Sequence, residues 1–436
     1  MVEAFDLVGL AVILLAGGEV VYEGYAGEAV VETGRALGPE SVVRIASISK
    51  TVTALALMQL QEQGAVELDA DVSRYLGWEL RNPAHPDAPV TLRMLLGHTS
   101  GIRDGEGYGA FTRAMVERRL PLRELFAAGG AFASDDMFAA HPPGAFFSYS
   151  NAAWGVIASV VEAVSGERFD RYTRNHILDP LGMTASFNPA DLPAADYAAL
   201  YRHRDDAWSA QVDLYLDEAP VDRAWEGYVP GTNGLLYAPQ GGLRLTSPAL
   251  ARLALALMHG GALDGGVLDG GAREGGVLGG SGRGGVRIVE AATLDQMKAP
   301  HWSYDGSNGD TWDDFWMAYG LGLHLVTNRE GKDVIFPDRT MFGHAGIAYG
   351  LLSDMYVDAE TGSGVIFITN GSAQDYTYAD ASAFYEVEAA VFDRLFPVLQ
   401  ELEARRGATP RDAATPDVTP PDAAPRDAAT PGGEDR

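Results

Sequence analysis

The sequence predicts an α/β (α+β) protein: one antiparallel β-sheet built from both chain ends, flanked by helices, with an inserted, mainly helical subdomain. Three observations predict it. The chain opens with two strand-like runs joined by a glycine pair. Its middle carries helical patches with little alternation. Its last third returns to β-rich runs before one amphipathic helix. Nothing in the middle reads as a long linker, so the 436 residues divide into one large domain, 1–405, and a tail, 406–436.

The first apolar run, Val8 to Ala16, is too short to span a bilayer and is flanked by Glu3 and Asp6 instead of the basic residues of a signal peptide. It reads as a strand, turned by Gly17 and Gly18 into a second strand from Glu19 to Tyr25. From about Ile48 to Glu62 runs a helix apolar on more than one face, hence buried on most sides, and Gly64 stops it. Residues from about 80 to 235 hold Pro-bounded helical patches, among them Ala152 to Val164, closed by Gly166. From Met341 the pattern changes to three β-rich runs with a turn at Asp358 to Gly362, followed by a helix from about Ala379 to Leu402. Two segments are low in complexity. Residues 260–285 repeat "GGALDGGVLDGGAREGGVLGG" and read as a glycine-rich surface loop, and 406–436 is a Pro/Ala/Asp-rich tail with no apolar period, expected to be disordered. The loop contains "GSGRGG", but no strand precedes it and no helix follows closely, so it does not make a nucleotide site.

A net charge of -28 repels nucleic acid and anionic membranes, so neither is an expected partner; a small molecule or peptide is. No integral membrane segment is expected. The absence of cysteine excludes disulfides, thiolate catalysis and cysteine-ligated zinc, and the nine histidines include no HxxxH or HxH pair. With no signal peptide in the chain, the expected compartment is the cytoplasm if Met1 is the native start. It is the periplasm or exterior if a leader was removed.

Lysine occurs only at Lys50, Lys298 and Lys332, and Lys50 sits on the apolar helix in "VRIASISKTVTALALMQLQEQG". Ser47 and Lys50 are three residues apart, on one face at the start of that helix. A desolvated lysine loses its proton more readily, and its neutral amine can take one from a nearby hydroxyl. The plainer reading is a serine N-cap with a lysine that snorkels to solvent. Two further elements weigh against it. "FFSYSNAAWGV" sets Tyr149 and Asn151 just before a helix, and "MFGHAGIAYG" sets His344 and Gly346 on a strand where the glycine allows close approach.

In this order, the only SxxK of the chain (Ser47 to Lys50), its only YxN (Tyr149 to Asn151) and a late HxG resemble the serine β-lactamase and penicillin-binding protein superfamily. The branch is that of class C β-lactamases, esterases and D-amino-acid-specific peptidases. Further segments look like the same family, including "TLRMLLGHTSGI", "PLGMTAS", "APQGGLRLTSPALARLALALM" and "YGLGLHL", so the likeness covers about residues 5 to 400. The resemblance implies a β-lactamase/transpeptidase-like fold and an acyl-enzyme on Ser47. Lys50 and Tyr149 would share the proton traffic, with Asn151 bonded to Lys50 and the substrate. The oxyanion would lie between the backbone N–H groups of Ser47 and Ile347, the residue after Gly346. No metal or organic cofactor is needed.

The third motif departs from the family pattern, which usually opens with lysine; here it is His344. A histidine with an ordinary pKa is mostly neutral at pH 7 and weakens the anchor for a substrate carboxylate. The expected substrates are therefore esters and neutral amides. Alternatives are a D-aminopeptidase or DD-carboxypeptidase, a weak β-lactamase, and, from another class, an inactive homologue that binds peptides or muropeptides.

Overall fold

In the computed structural model, which describes residues 1–264, 285–374, 376–380 and 382–407, nine strands form one antiparallel sheet. They are β1 (Gly9–Ala16), β2 (Glu19–Val30), β3 (Arg35–Ala36), β4 (Trp302–Ser303), β5 (Ala318–Tyr319), β6 (His324–Leu325), β7 (Phe342–Ala348), β8 (Leu351–Asp358) and β9 (Ser363–Thr369). Their spatial order is β4-β5-β6-β7-β8-β9-β1-β2-β3. The two chain ends meet where β1 pairs with β9, Ile13 opposite Ile366. The sheet is thus the one expected from both termini.

Every residue of β1 is buried, because both faces of the sheet are covered. Ala11, Ile13 and Leu15 face a core shared with α1 (Ser49–Glu62), α2 (Ala152–Ser165) and α3 (Ser247–Met258). Leu10, Val12 and Leu14 face a second core under α4 (Glu386–Gly407). The strand period of two therefore feeds two cores, each buried aliphatic side chain contributing about 1.5–3 kcal/mol. Gly17 and Gly18, at φ of 57° and 77°, make the two-residue turn between β1 and β2 in the left-handed region that glycine tolerates.

Three boundaries differ from the sequence reading. The second strand continues to Val30, since Ala26 and Gly27 pair with Leu10 and Gly9. The last helix begins at Glu386 instead of Ala379, because the preceding segment folds back on itself through Ala379 N–H to the Phe384 carbonyl and Glu386 N–H to the Thr377 carbonyl. Between 80 and 235 the helices Leu92–Leu96, Glu106–Ala114, Arg123–Phe126, α2 and Phe169–Thr173 are joined by a hairpin, Leu200–Arg204 with Ala207–Val212. Its turn puts Asp205 and Asp206 at positive φ with no glycine to signal it. Most of the glycine repeat, with its "GSGRGG", and the tail beyond 407 lie outside the described residues. Among the described residues no helix is long and apolar enough to cross a membrane.

Candidate active site

The strand Val42–Arg44 runs into a tight turn before α1, with Ala46 at φ 44° and Ser47 next, in the 3₁₀ turn Ala46–Ile48. A left-handed alanine costs about 1–3 kcal/mol and persists only when its surroundings hold it. Here Ser49 Oγ donates to the Ala46 carbonyl at 2.6 Å and accepts the Leu243 N–H at 3.0 Å. Ser353 Oγ on β8 donates to the Ile45 carbonyl at 3.1 Å. The turn lifts Ser47 to the edge of the buried helix, where its side chain is partly accessible.

Lys50, one helical turn on, is fully buried. Its Nζ lies 2.9 Å from Ser47 Oγ, 2.9 Å from Asn151 Oδ1 and 2.7 Å from the Gln240 carbonyl. The last two can only accept, so they consume two N–H bonds in either protonation state. The third position is Ser47, which can accept from an ammonium or donate to an amine lone pair. Burial holds the Lys50 pKa well below its ordinary value, against the opposing pull of Asp104. The snorkelling lysine of the plainer sequence reading is thereby excluded.

Asn151 ends the loop that enters α2, and Asp104 fixes it. The Asp104 carboxylate accepts the backbone N–H of Asn151 and of Ala152, each at 2.8 Å, and Asn151 Nδ2 at 2.8 Å. An anion at the helix N-terminus suits the exposed N–H groups there. The Gln240 carbonyl is positioned by buried charge. Arg44 Nε donates to the Gly241 carbonyl at 2.6 Å, and Arg244 Nη1 to that of Gly242 at 2.8 Å. Arg244 also pairs with buried Asp213 at 2.8 Å.

Tyr149 is clamped between two rings, stacked on His98 at 4.3 Å and on Trp316 at 5.0 Å, with Lys50 Nζ 4.8 Å from its ring centre. Burial pushes its pKa up, partly offset by the Ser47 hydroxyl beside it, so the phenol keeps its proton. His98 Nδ1 accepts the Ser150 N–H at 3.1 Å, and burial lowers its pKa well below the ordinary value, which keeps the ring neutral.

On β7, the neighbouring strand β6 pairs only as far as Gly343, so the Ala345–Ala348 stretch runs on beside the nucleophile turn with no strand from β6 along that edge. Gly346 makes the approach possible: a Cβ there would lie 2.5 Å from the Ile45 carbonyl oxygen and 3.1 Å from Ser47 N. Ile347, half exposed, borders a cavity of 190 Å³ together with Ser47, Tyr149, Asn151 and Trp312. A larger cavity of 500 Å³ between β2 and α4 contains none of these residues.

His344 departs from the sequence reading, which turned it toward substrate. Its ring is fully buried on the face of β7 that Gly346 turns to the nucleophile, packed beside Tyr149 and Trp316 at 6.2 and 5.6 Å, and does not line the cavity. Nδ1 meets the Ala345 carbonyl at 2.6 Å, so it carries the proton, and Nε2 accepts the Tyr319 hydroxyl at 2.9 Å. Burial, reinforced by Lys50, holds its pKa well below 6.5. Both nitrogens are used and the ring stays neutral, so His344 is a packing residue behind Tyr149 and not a titrating contact.

Ser47, Tyr149, Asn151, Gly346 and Ile347 thus line one cavity, with Lys50 buried behind Ser47. The sequence reading missed Asp104, Gln240, His98, Trp312 and Trp316. Asp104 lies just past "GHTSGI" with no spacing signal toward Asn151, 47 residues away. Gln240 acts through its backbone, which side-chain motifs do not report.

A Ser-x-x-Lys turn held against the edge of an antiparallel sheet, with helices on both faces, defines a penicillin-binding-protein-like α/β protein. Residues 1–387 match the Beta-lactamase family model, and the chain belongs to that family. Over 185 residues, 40% of this chain and 44% of the relative, it is 32% identical to the D-alanyl-D-alanine-carboxypeptidase/endopeptidase AmpH of Escherichia coli (strain K12). Over 181 residues, 41% and 46%, it is 32% identical to the esterase EstB of Burkholderia gladioli. The matched stretch spans less than half the length of these curated relatives. Among solved structures, the octameric penicillin-binding protein homologue from Pyrococcus abyssi aligns with TM-score 0.64 and 24% identity over 93% of this chain and 79% of its own. The D-amino acid amidase from Ochrobactrum anthropi SV3 aligns with TM-score 0.59 and 21% identity over 93% and 96%. These last two likenesses lie in the fold.

Proposed function

We propose that the protein is a serine hydrolase that works through an acyl-enzyme on Ser47, with esters and neutral amides as its main substrates. The observation that carries this is the saturation of Lys50 Nζ by Asn151 and Gln240, which leaves Ser47 facing the remaining position on nitrogen. Ser47 Oγ attacks the carbonyl carbon and its proton passes to the Lys50 amine. The backbone N–H groups of Ser47 and Ile347 receive the oxyanion, each such donor being worth about 10²–10³ in rate. Collapse of the tetrahedral species breaks the bond to the leaving group, which takes a proton from Tyr149, itself resupplied by Lys50. Water then attacks the acyl carbon, giving its proton to the same pair, and frees Ser47. The likeness to AmpH and EstB supports hydrolysis at an acyl carbon and leaves both peptide and ester substrates in play. The neutral, buried His344 favours substrates without a carboxylate at that position.

A fluorophosphonate probe should label Ser47, and Ser47→Ala should lose p-nitrophenyl ester hydrolysis by about 10³-fold or more. Labelling at another residue, or an active alanine variant, ends this reading.

A further inference from the structure

Of two neighbouring carboxyl groups with no cation beside them among the described residues, one borders the cavity that holds Ser47 and the other is buried behind it. Glu388, in the first turn of α4, lines it beside Tyr378, Tyr385 and Trp312. Asp354 stands opposite Ala345 in the β7–β8 register, so its side chain shares the sheet face on which Ala345 lines the cavity. Helix capping explains one of the four oxygens: Glu388 Oε2 accepts the Tyr385 N–H at 2.8 Å. It explains neither oxygen of Asp354, which is 0% exposed and has the Glu388 carboxyl as its side-chain hydrogen-bonding neighbour and no N–H donor. The charged neighbour of each group, among the described residues, is the other carboxyl: burial and the charge of Glu388 raise Asp354, while burial raises Glu388 to about 7 against the opposing hydrogen bonds of the Tyr385 N–H and Asp354. The titratable groups packed around them are the phenols of Tyr356, Tyr376 and Tyr385, all kept neutral by burial. A buried pair of like charges is stable only when a proton or a cation joins it.

We propose that Asp354 and Glu388 form a cation subsite that takes the protonated amine of a substrate, placing that amine near the scissile bond. The proposal rests on Ser47 being the nucleophile of this cavity. An ammonium against Glu388, the member of the pair that lines the cavity, brings the positive charge and N–H donors that the pair lacks. The stacked rings of Tyr378 and Tyr385, 4.7 Å apart, with Trp312, offer it π-faces in the same space. A cavity of 190 Å³ admits a group of about amino-acid size. The same acids repel a carboxylate, in keeping with the absence of a cationic partner at His344.

The test needs no known substrate. With a neutral p-nitrophenyl ester as reporter, benzylammonium should inhibit wild type competitively at least tenfold more tightly than benzyl alcohol. Amino-acid p-nitroanilides should be turned over with kcat/KM at least tenfold above their N-acetyl forms, and Glu388→Gln and Asp354→Asn should each lower that ratio by about tenfold. Equal inhibition by the two benzyl compounds, or a ratio unchanged in both variants, overturns the proposal and leaves a proton-sharing structural pair. Failure of the nucleophile reading is distinguishable: fluorophosphonate labelling is then absent, and calorimetric binding of the two benzyl compounds still decides the subsite.

Discussion

Asp104 and Asn151 are joined through side chain and backbone at once: one carboxylate accepts the Asn151 N–H at 2.8 and 2.9 Å and its Nδ2 at 2.8 Å. The second contact decides which way the amide faces. With Nδ2 held by an anion, Oδ1 is turned to Lys50, and the proton position on Lys50 facing Ser47 is set by a residue that touches neither.

Asp104→Asn should therefore impair turnover more than binding. An amide at 104 presents a donor to a donor unless Asn151 flips, and a flipped Asn151 turns its NH₂ toward Lys50. We expect kcat to fall about 10–100-fold with a smaller change in KM. Since Asp104 raises the Lys50 pKa, the acid limb of the rate profile should also move to lower pH. A role confined to capping α2 predicts only about 1 kcal/mol of lost stability and an unshifted limb.

Lys50→Arg should be nearly as damaging as Lys50→Ala in single-turnover acylation. A guanidinium stays protonated at any working pH and has no lone pair for the Ser47 proton. Burial has lowered the lysine pKa, so its amine form is reached well below pH 10.5. Near-normal acylation by the arginine variant makes Lys50 a structural cation.

What the sequence made legible is what local pattern encodes. The β1 run, the apolar helix with its Ser47–Lys50 spacing, and the three C-terminal strands are periodic or contiguous, and the structure has them within a few residues. Ser47, Tyr149 and Gly346 can be singled out because each sits in a short motif, and tertiary packing brings them to one cavity. The orientation of His344 was not legible. Strand alternation puts it on the face of Gly346, toward the Ile45–Ser47 turn, but the rings of Tyr149, Trp316 and Tyr319, which tertiary packing brings over it, cover it from the cavity. Glu388 reads in sequence as one more acid in the first turn of a helix, and only the register of β8 reveals Asp354 behind it.

The burial of His344 has a consequence for stability. A base whose folded pKa lies below its unfolded value of about 6.5 is protonated first in the unfolded chain, so stability is lost as pH falls below about 6.5. His344→Asn removes that proton. Its unfolding free energy relative to wild type should improve by up to about 1.4 kcal/mol per pH unit between pH 6 and 5, read by urea unfolding. The raised carboxyls Glu162 and Glu388 act in the opposite sense, but both chains hold them and they cancel in the difference. Parallel curves for the two proteins would show that His344 is open to protonation in the fold. A buried neutral ring also predicts no change near pH 6.5 in the preference for carboxylate-bearing over neutral esters.

A substitution at Gly346 separates the proposed oxyanion role of β7 from its packing. A Cβ there would lie 2.5 Å from the Ile45 carbonyl oxygen, 2.5 Å from Ser353 Oγ and 3.1 Å from Ser47 N. The serine hydroxyl can rotate away, but the Ile45 carbonyl cannot, because it belongs to the turn that holds Ala46 at φ 44°. Relief must come from β7, whose edge here has no β6 strand beyond Gly343 to hold it. The strand end shifts outward, and with it the Ile347 N–H proposed to receive the oxyanion. Gly346→Ala should then lower kcat for ester hydrolysis and the rate of fluorophosphonate labelling together, by about 10²-fold, the size expected for one oxyanion donor. Thermal stability should fall by only about 1–3 kcal/mol, as for a modest overpacking. Ser353→Ala alone loses the hydroxyl's bond to the Ile45 carbonyl but leaves Gly346 and the strand end in place, so it should cost stability without a comparable loss of labelling. If labelling falls in step with stability in both variants, the strand edge serves only to pack the turn, and the oxyanion donors must be sought elsewhere in the cavity.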